Sequence, residues 1–124
     1  MSFESDAHSI ARGLLKVRKA RHKHLPDAAI SEAGWGLLLA LFSMDADAGS
    51  CPERRLAEIA DVSRTTTLRW LQRLEEAGLV SKTVSPTDKR TVRVSLTEPG
   101  RDAIERCFDA ASWSSRYSPP SRAA

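Results

Sequence analysis

The sequence predicts a mainly α-helical fold that carries a small β-hairpin. Apolar residues recur at helical spacing over most of the chain, which indicates helices with one face turned to a core. Two short segments, 80–84 and 92–96, instead alternate apolar and polar residues, and the polar residues 86–90 lie between them. That arrangement is typical of a hairpin with a solvated loop. At 124 residues the chain has the length of one small domain.

Two helices are predicted before residue 50. Ser5 can cap the first, in which Ile10, Leu14 and Val17 recur at helical spacing. Pro26 is expected to end it. The second helix begins after Ser31. Its core-facing stripe is predicted to comprise Trp35, Leu38, Leu39 and Phe42.

A third helix is predicted from a capping box. In the run Ser50-Cys51-Pro52-Glu53, the Ser50 hydroxyl would accept a hydrogen bond from the Glu53 amide, while the Glu53 carboxylate reaches back. Pro52 would occupy the first turn, where the N–H group that proline lacks has no helical partner in any case. The inward-facing residues of this helix are predicted to be Leu56, Ile59 and Ala60.

A fourth helix follows after a tight turn. Asp61-Val62-Ser63 is too short for any other structure, and Ser63 is a good cap for the next helix. Gly78 is expected just past the end of that helix, as the residue that takes left-handed backbone angles. The buried stripe of the helix is predicted to comprise Thr67, Trp70, Leu71 and Leu74.

The hairpin and a last helix complete the predicted fold. Thr97 is expected to cap that helix, and after Trp113 the composition changes to Ser, Arg and Pro without periodicity. A flexible tail is therefore predicted over residues 114–124. The alternating strand residues are Val80, Lys82 and Val84 in one strand and Val92, Val94 and Leu96 in the other. The last helix is predicted to present Ile104, Cys107, Phe108 and Ala111 on one face.

Bulk composition limits the classes of function. The net charge of +3 and the pI of about 9.2 suit an anionic partner without establishing one. No apolar run approaches the roughly 18 residues of a membrane span, and the N-terminus lacks the order of a secretory signal. Cys51 and Cys107 lack metal-type spacing, so a cytoplasmic protein with reduced thiols is expected. Because no nucleophile–base pair or glycine-rich phosphate loop can be placed, we predict no catalytic site, no cofactor and no metal.

Two short helices joined by a tight turn and followed by a hairpin form a helix-turn-helix with a wing, a shape that fits DNA. The helix from Ser63 would enter the major groove, where Arg69 can donate two hydrogen bonds to a guanine edge. Arg90 at the hairpin tip would enter the minor groove, and Asp88 would fix its direction through a bidentate pair. The predicted DNA-contacting residues are Ser63, Arg64, Thr65, Thr66, Arg69, Arg73, Asp88, Lys89 and Arg90.

Other interpretations of these residues remain open at the level of sequence. The basic residues after Ser63 fit a solvated helix face, and the charges at the hairpin tip fit an exposed turn that keeps an edge strand soluble. A winged helix can also bind a protein partner in place of nucleic acid, since fold alone does not decide function. Exposed arginines and threonines favour DNA, whereas an exposed apolar patch would favour a protein.

Three segments of the chain carry a specific resemblance. Residues 73–80 read Arg-Leu-Glu-Glu-Ala-Gly-Leu-Val, residues 88–90 read Asp-Lys-Arg, and residues 94–100 read Val-Ser-Leu-Thr-Glu-Pro-Gly. The region that contains them resembles the winged-helix core of the multiple-antibiotic-resistance-regulator (MarR) family of bacterial transcription regulators. The wing of that family carries an Asp, any residue and an Arg before a strand that ends in Leu-Thr. The resemblance implies sequence-specific binding of double-stranded DNA, with Arg90 in the minor groove and Asp88 orienting it.

The resemblance also implies a homodimer built from terminal helices. We divide the chain into a winged-helix DNA-binding domain over residues 1–113, with its core at 51–96, and the tail at 114–124. Helices at 5–24 and 98–113 are predicted to dimerise, although family members usually carry a longer C-terminal helix pair. The predicted interface residues are Ile10, Leu14, Val17, Ile104 and Phe108. The alternative is that both helices pack onto the core of one chain.

Three further features are open to two interpretations each. Family members often bind small aromatic compounds, and Trp35 either lines such an effector site or packs in the core. The basic segment from Arg12 to Lys23 either lies along the backbone of flanking DNA or is a solvated helix face. Cys51, near a helix N-terminus, is either a redox-sensitive thiol or an ordinary cysteine.

Overall fold

A computed structural model describes residues 5–27, 31–45 and 49–109. Helices dominate these ranges, as predicted, and a small antiparallel sheet accompanies them. The helices are α1 (Asp6–His24), α2 (Glu32–Asp45), α3 (Glu53–Ala60), α4 (Arg64–Glu76) and α5 (Glu98–Asp109). The strands are β1 (Cys51–Pro52), β2 (Val80–Val84) and β3 (Val92–Leu96). The predicted tail at 114–124 and the predicted core residue Ala111 lie outside the described ranges.

The sheet contains a strand that was not predicted, and the capping box is wrong. The strand order is β1-β3-β2, with Cys51 opposite Val94 and Val80 opposite Leu96. Pro52 takes the cap position of α3 without a side-chain hydrogen bond. The Ser50 hydroxyl accepts instead from Nε of Arg93 at 2.8 Å. Pairing with β3 therefore draws Ser50 away from the helix that it was expected to cap.

The core lies around α2, which contacts α3, α4, α5 and β3. Trp35 and Leu38 are buried as predicted, whereas Leu39 and Phe42 are only partly buried at the edge of the core. Leu37 and Leu41 are also buried. A helix that is covered from several directions buries more than one stripe, so the amphipathic pattern underestimated its burial. The largest fully buried side chains include Leu37, Leu38, Leu56, Leu71, Leu74 and Ile104.

Most of the predicted helix ends are confirmed by their hydrogen bonds. Ser5 accepts from the His8 amide at 3.3 Å, and Ser63 accepts from the Thr66 amide at 3.2 Å. Thr97 Oγ1 accepts from the Gly100 amide at 3.1 Å at the start of α5. Short polar side chains at these positions satisfy amide groups that have no partner within the helix.

The predicted inward-facing residues of α3 need one correction. Leu56 is fully buried and Ala60 is partly buried, but Ile59 is 41% exposed. The buried side of α3 is completed by Ala57. At 100° per residue, Leu56, Ala57 and Ala60 lie within one sector of the helix, whereas Ile59 lies well outside it.

Candidate nucleic-acid interface

The turn between α3 and α4 sets their relative direction in three residues. Asp61 takes left-handed backbone angles, with φ of +54°, which Asp tolerates better than most side chains. The Val62 amide then donates to the Ala57 carbonyl at 3.1 Å, which closes the end of α3. Ser63 caps α4 immediately afterwards. The structure therefore has the predicted helix-turn-helix.

One side of α4 is buried and the opposite side is open. Thr67, Leu71 and Leu74 face the core as predicted, while Trp70 is only partly buried. We call the opposite side the outer stripe of α4, formed by Thr65, Leu68, Arg69 and Gln72, all exposed. Leu68 and Gln72 were not predicted as site residues. Their spacing from Thr65, at i+3 and i+7, was the signal that could have identified them.

The other predicted residues of α4 flank the outer stripe. Arg64 is exposed in the first turn, and Ser63 donates to Thr66 Oγ1 at 2.8 Å. The Arg73 guanidinium lies 4.7 Å from the centre of the Trp70 ring. That cation–π contact restrains Arg73 on one side of the outer stripe.

Asp88 shapes the loop of the wing, which is the β2–β3 hairpin with residues 85–91. Its Oδ1 accepts from the Arg90 amide at 3.0 Å, and its Oδ2 accepts from Thr91 Oγ1 at 3.0 Å. The Asp88 amide donates to Ser85 Oγ at 3.3 Å. The hydrogen bond from the Arg90 amide, followed by that from Thr91, holds the pKa of Asp88 below its ordinary value.

The bidentate pair predicted between Asp88 and Arg90 is absent. Their side chains meet through a single contact, with Nε of Arg90 at 3.5 Å from Asp88 Oδ1. The Arg90 side chain is 94% exposed. Because the carboxylate is engaged by loop donors, it fixes the backbone from which Arg90 extends and leaves the guanidinium open to a ligand. Lys89 is exposed beside it.

The start of α4 and the tip of the wing meet at one cleft of about 510 Å³, which we call the arginine cleft. Arg64 lines it from α4, Arg90 lines it from the wing, and Arg54 lines it from α3. Arg54 was not predicted, because nothing in the local sequence showed that α3 reaches the wing. The remaining lining residues are Pro52, Glu53, Asp88, Thr91 and Val92.

The residues predicted for a dimer interface fall into two sets. Ile10 and Leu14 on α1 are 48% and 55% exposed. Val17 and Ile104 are buried within this chain, and Phe108 is partly buried. Because α1 packs against α5, the apolar faces of the two helices are partly buried against each other within one chain.

Trp35 and Cys51, each open to two interpretations in the sequence, pack as core residues. Trp35 is buried, with the Phe108 ring edge-on at 6.3 Å and the Arg21 guanidinium 4.9 Å from its ring centre. The effector that the resemblance implies therefore stays a prediction. Cys51 is buried, and burial raises the pKa of its thiol although Arg55 and Arg93 lie nearby. Cys107 is buried as predicted, and burial raises the pKa of its thiol too.

Two features are absent from the described ranges. No helix there is both long and apolar enough to cross a bilayer. No cluster of three or more His, Cys, Asp or Glu residues there could bind a metal ion.

Several known sequences match the part of the chain that contains the helix-turn-helix and the wing. Residues 46–92 match the MarR family model. The chain is 32% identical over 60 residues to the uncharacterized HTH-type transcriptional regulator YwaE of Bacillus subtilis, covering 48% of this chain and 35% of that protein. It is 38% identical over 55 residues to a putative transcriptional regulatory protein for the hcr operon of Thauera aromatica, covering 44% and 33%. The chain thus spans about a third of the length of these two relatives.

A further relative shows that the region also occurs within a larger protein of another kind. Riboflavin kinase of Pyrococcus abyssi is 37% identical over 59 residues, which cover 48% of this chain and 26% of the kinase. The two bacterial relatives, by contrast, are named as transcriptional regulators.

Solved structures share the whole fold. NadR in complex with 4-hydroxyphenylacetate aligns with a TM-score of 0.67 at 22% identity, over 93% of this chain and 82% of that one. Overoxidized AbfR bound to DNA aligns with a TM-score of 0.63 at 24% identity, over 86% and 73%. The family model and the sequence relatives match the segment that carries the helix-turn-helix and most of the wing. The solved structures share the fold in which that segment lies. Residues 46–92 of this chain therefore match the MarR family model, and the fold around them is shared with these solved structures.

Proposed function

We propose that the chain binds specific sequences in double-stranded DNA as a homodimer and regulates transcription. In this proposal α4 enters the major groove and Arg90 enters the neighbouring minor groove. One observation carries it: exposed guanidiniums at the start of α4 and at the wing tip converge on a single cleft. The MarR-family match and the DNA-bound AbfR structure of the same fold support it.

The outer stripe of α4 supplies the chemistry that base recognition needs. Arg69 can donate two hydrogen bonds to O6 and N7 of a guanine, and Gln72 can bond N6 and N7 of an adenine. Leu68 and Thr65 offer methyl groups that suit the C5 methyl of a thymine. The stripe occupies residues 65–72 of the 13-residue α4, so it fits the reach of a helix that lies in one groove.

The wing supplies a cation that can enter a narrower groove. Arg90 extends from a loop that four hydrogen bonds to Asp88 and Ser85 hold in shape. A guanidinium inserted into a narrow minor groove meets an enhanced negative potential. Lys89, exposed next to it, suits a backbone phosphate.

The dimer rests on exposed apolar residues near the N-terminus. Ile10 and Leu14 lie one turn apart on α1 and are both about half exposed. Apolar groups in that arrangement are stabilised by burial against a second surface. A second copy of the chain would bring a second α4 to the DNA, at a spacing that the dimer sets.

The alternative function is a winged helix that binds a protein and makes no direct contact with bases. An exposed apolar patch on α4 would favour that alternative. Leu68, at 42% exposed, is the large apolar residue of the outer stripe, and its neighbours there are polar or cationic. The surface chemistry therefore favours DNA.

Selection from a random pool of duplex DNA tests the proposal. The protein is expected to enrich a palindromic sequence, because two symmetric copies contact two half-sites. Affinity for the enriched duplex is expected to fall steeply with salt, since phosphate contacts release counterions. Enrichment of no sequence above the starting pool, with binding equally weak to all duplexes, would contradict the proposal and leave the protein-binding alternative.

A further inference from the structure

We propose that the arginine cleft binds one backbone phosphate of the DNA and that Arg54 is its third phosphate-binding arginine. The inference rests on the proposed function and adds a site and a residue to it. Arg54, Arg64 and Arg90 reach the cleft from three separate elements, namely α3, α4 and the wing. Three guanidiniums from three elements can surround an anion, whereas a row on one helix presents charge from one side only.

The charges in the cleft match a single phosphodiester. Three guanidiniums and two carboxylates line the cleft, so the lining carries one net positive charge. Both carboxylates already have partners. Glu53 lies 3.9 Å from the Lys82 ammonium. Asp88 accepts from the loop of the wing and lies 3.5 Å from Nε of Arg90, so it opposes one of the three guanidiniums from one side. A bound phosphodiester, with one negative charge, would therefore meet the guanidiniums as its nearest available donors.

The start of α4 adds to the attraction for an anion. Arg64 is the first residue of this 13-residue helix, so the positive end of the helix dipole lies at the cleft. Ser63 Oγ accepts from the Thr66 amide, and the amides of the first turn point in the same direction. Dipole and side chain thus favour negative charge at the same place.

DNA geometry explains why a phosphate would be at this position. Neighbouring major and minor grooves are separated by one sugar–phosphate backbone. If α4 occupies the one groove and Arg90 the other, that backbone passes between them. The arginine cleft lies between the start of α4 and the wing tip, so it faces the strand that both elements straddle.

Replacing Arg54 with Gln tests the inference, with Arg55→Gln as the matched control. Arg55 is its exposed neighbour on α3 and does not line the cleft, so both variants lose the same charge from the same helix. Arg54→Gln is expected to weaken binding to all duplexes alike and to reduce the slope of log K against log salt by about 1. Arg55→Gln is expected to leave the slope as in the parent. Equal slopes in both variants would overturn the inference.

A second measurement identifies the phosphate. Single phosphodiesters of the selected duplex are replaced by uncharged methylphosphonates, one position at a time. At the phosphate that the cleft binds, the methylphosphonate is expected to lower the affinity of the parent protein for the duplex. It should lower the affinity of Arg54→Gln little further, because the variant has already lost the contact. If the losses in binding free energy caused by the methylphosphonate and by Arg54→Gln add at every position, Arg54 contacts no single phosphate and the inference is wrong.

These outcomes separate the inference from the function on which it rests. A parent protein that binds no duplex selectively contradicts the proposed function, and the inference with it. A parent that binds selectively while Arg54→Gln behaves like Arg55→Gln contradicts the inference alone.

Discussion

The arginines of the proposed DNA surface differ in what restrains them. Arg73 lies against the Trp70 ring, whereas the side chain of Arg90 is almost wholly exposed. Arg69 is exposed at the middle of the outer stripe of α4. A restrained guanidinium suits a fixed position beside the backbone, and an exposed one can adjust to a base edge or a narrow groove.

Arg69→Ala is expected to loosen the choice of sequence. If Arg69 makes a bidentate contact with a guanine, its loss should reduce discrimination at that base pair by about 1–3 kcal/mol. Fluorescence anisotropy on the selected duplex and on duplexes with one base pair changed measures this. Arg18→Ala, at an exposed position on α1, is the control and should leave discrimination intact. Unchanged discrimination in Arg69→Ala would remove Arg69 from base recognition.

Asp88→Ala separates two roles of the carboxylate, because the two roles predict opposite changes in DNA affinity. Removing a negative charge that faces phosphate should by itself tighten binding. Removing the acceptor of the Arg90 amide and the Thr91 hydroxyl should instead release the loop and weaken binding. We expect weaker binding, and in an Arg90→Ala background we expect the weakening to disappear. Tighter binding by Asp88→Ala in a titration at fixed salt would show that the carboxylate does not position Arg90.

At the residue scale, the sequence could predict which charged residues are at the wing tip but not how they are held. The order Asp-Lys-Arg identified Asp88 and Arg90 as a pair, and both are exposed in the wing loop. The partners of Asp88 are set by the folded path of residues 85–91, which charge pattern alone does not specify. Arg54 was missed for a related reason, since its neighbours Arg64 and Arg90 are distant in sequence.

The junction between α4 and α5 depends on a close backbone contact. Gly78, with φ of +79°, lets α4 end with Leu79 donating to the Leu74 carbonyl at 3.0 Å. Thr97 Oγ1 then donates to the Gly78 carbonyl at 2.6 Å, and the Thr97 amide donates to the Leu79 carbonyl at 3.0 Å. The wing and α5 are thereby fixed to the end of α4.

Gly100→Ala is expected to destabilise this junction. A β-carbon at residue 100 would overlap the Leu79 carbonyl oxygen, which is backbone and cannot move aside cheaply. The expected loss in the free energy of unfolding is about 1–3 kcal/mol, as for other overpacked sites. Gly36→Ala in α2 is the control: its β-carbon would lie 3.9 Å from the Ala60 carbonyl oxygen, so the helix preference for Ala should make it neutral or stabilising. Denaturant unfolding of both variants checks this, and similar effects would contradict the close-contact argument.

An ion pair joins the end of α2 to α5. Nε of Arg101 donates to Asp45 Oδ2 at 2.6 Å, and Nη2 donates to Oδ1 at 2.8 Å. The hydrogen bonds from Arg101 outweigh burial and hold the pKa of Asp45 below its ordinary value. A depressed carboxylate pKa contributes stability above the unfolded-state value of about 3.9, and that stability is lost as the pH falls through the folded-state pKa.

Asp45→Asn is therefore expected to lower the melting temperature at neutral pH. The difference from the parent should narrow as the pH falls below about 4, where the unfolded Asp is largely protonated. Thermal melts between pH 7 and pH 3 measure it, with Asp102→Asn, at an exposed site on α5, as the control. A difference that stays constant over this range would mean that the charge of Asp45 does not contribute.

At the scale of elements, local signals predicted helix ends well and long-range pairing poorly. Ser5, Ser63, Gly78 and Thr97 act on their own helix ends, within a few residues, so the sequence could identify them. The strand β1 depends on Val94 and Arg93, more than 40 residues away, and the run from Ser50 to Glu53 fits a capping box equally well. No local feature of the sequence distinguishes a strand from a capping box at this position.

In the whole molecule, α1 presents different chemistry to its two exposed sides. Ile10 and Leu14 lie on one side of its buried stripe. On the other side, Arg12, Lys16, Lys19 and Lys23 follow one line along the helix at intervals of three or four residues, and all are exposed. Leu15, 57% exposed and one turn from Lys19, interrupts this separation. The rest of the pattern fits a helix that meets a second copy on one side and carries a solvated or DNA-facing basic stripe on the other.

Leu14→Glu is expected to dissociate the proposed dimer. A carboxylate in an apolar contact between two copies would lose its hydration without a partner. Sedimentation at micromolar concentration should shift from dimer to monomer, and binding to a palindromic duplex should weaken with it. The control for sedimentation alone is Val84→Glu, at an apolar residue of the wing that is 58% exposed and far from α1 in sequence. Leu14→Glu that sediments as the parent does would place the dimer contact elsewhere.

The central claim is that α4 and Arg90 occupy neighbouring grooves of one duplex. Methylation interference on the selected duplex tests it most directly, because dimethyl sulfate modifies guanine N7 in the major groove and adenine N3 in the minor groove. We predict that both modifications prevent binding of the parent protein when they fall within a half-site. Binding by Arg90→Ala should lose its sensitivity to the adenine modification only. Interference confined to one groove, or an unchanged pattern in Arg90→Ala, would contradict the claim.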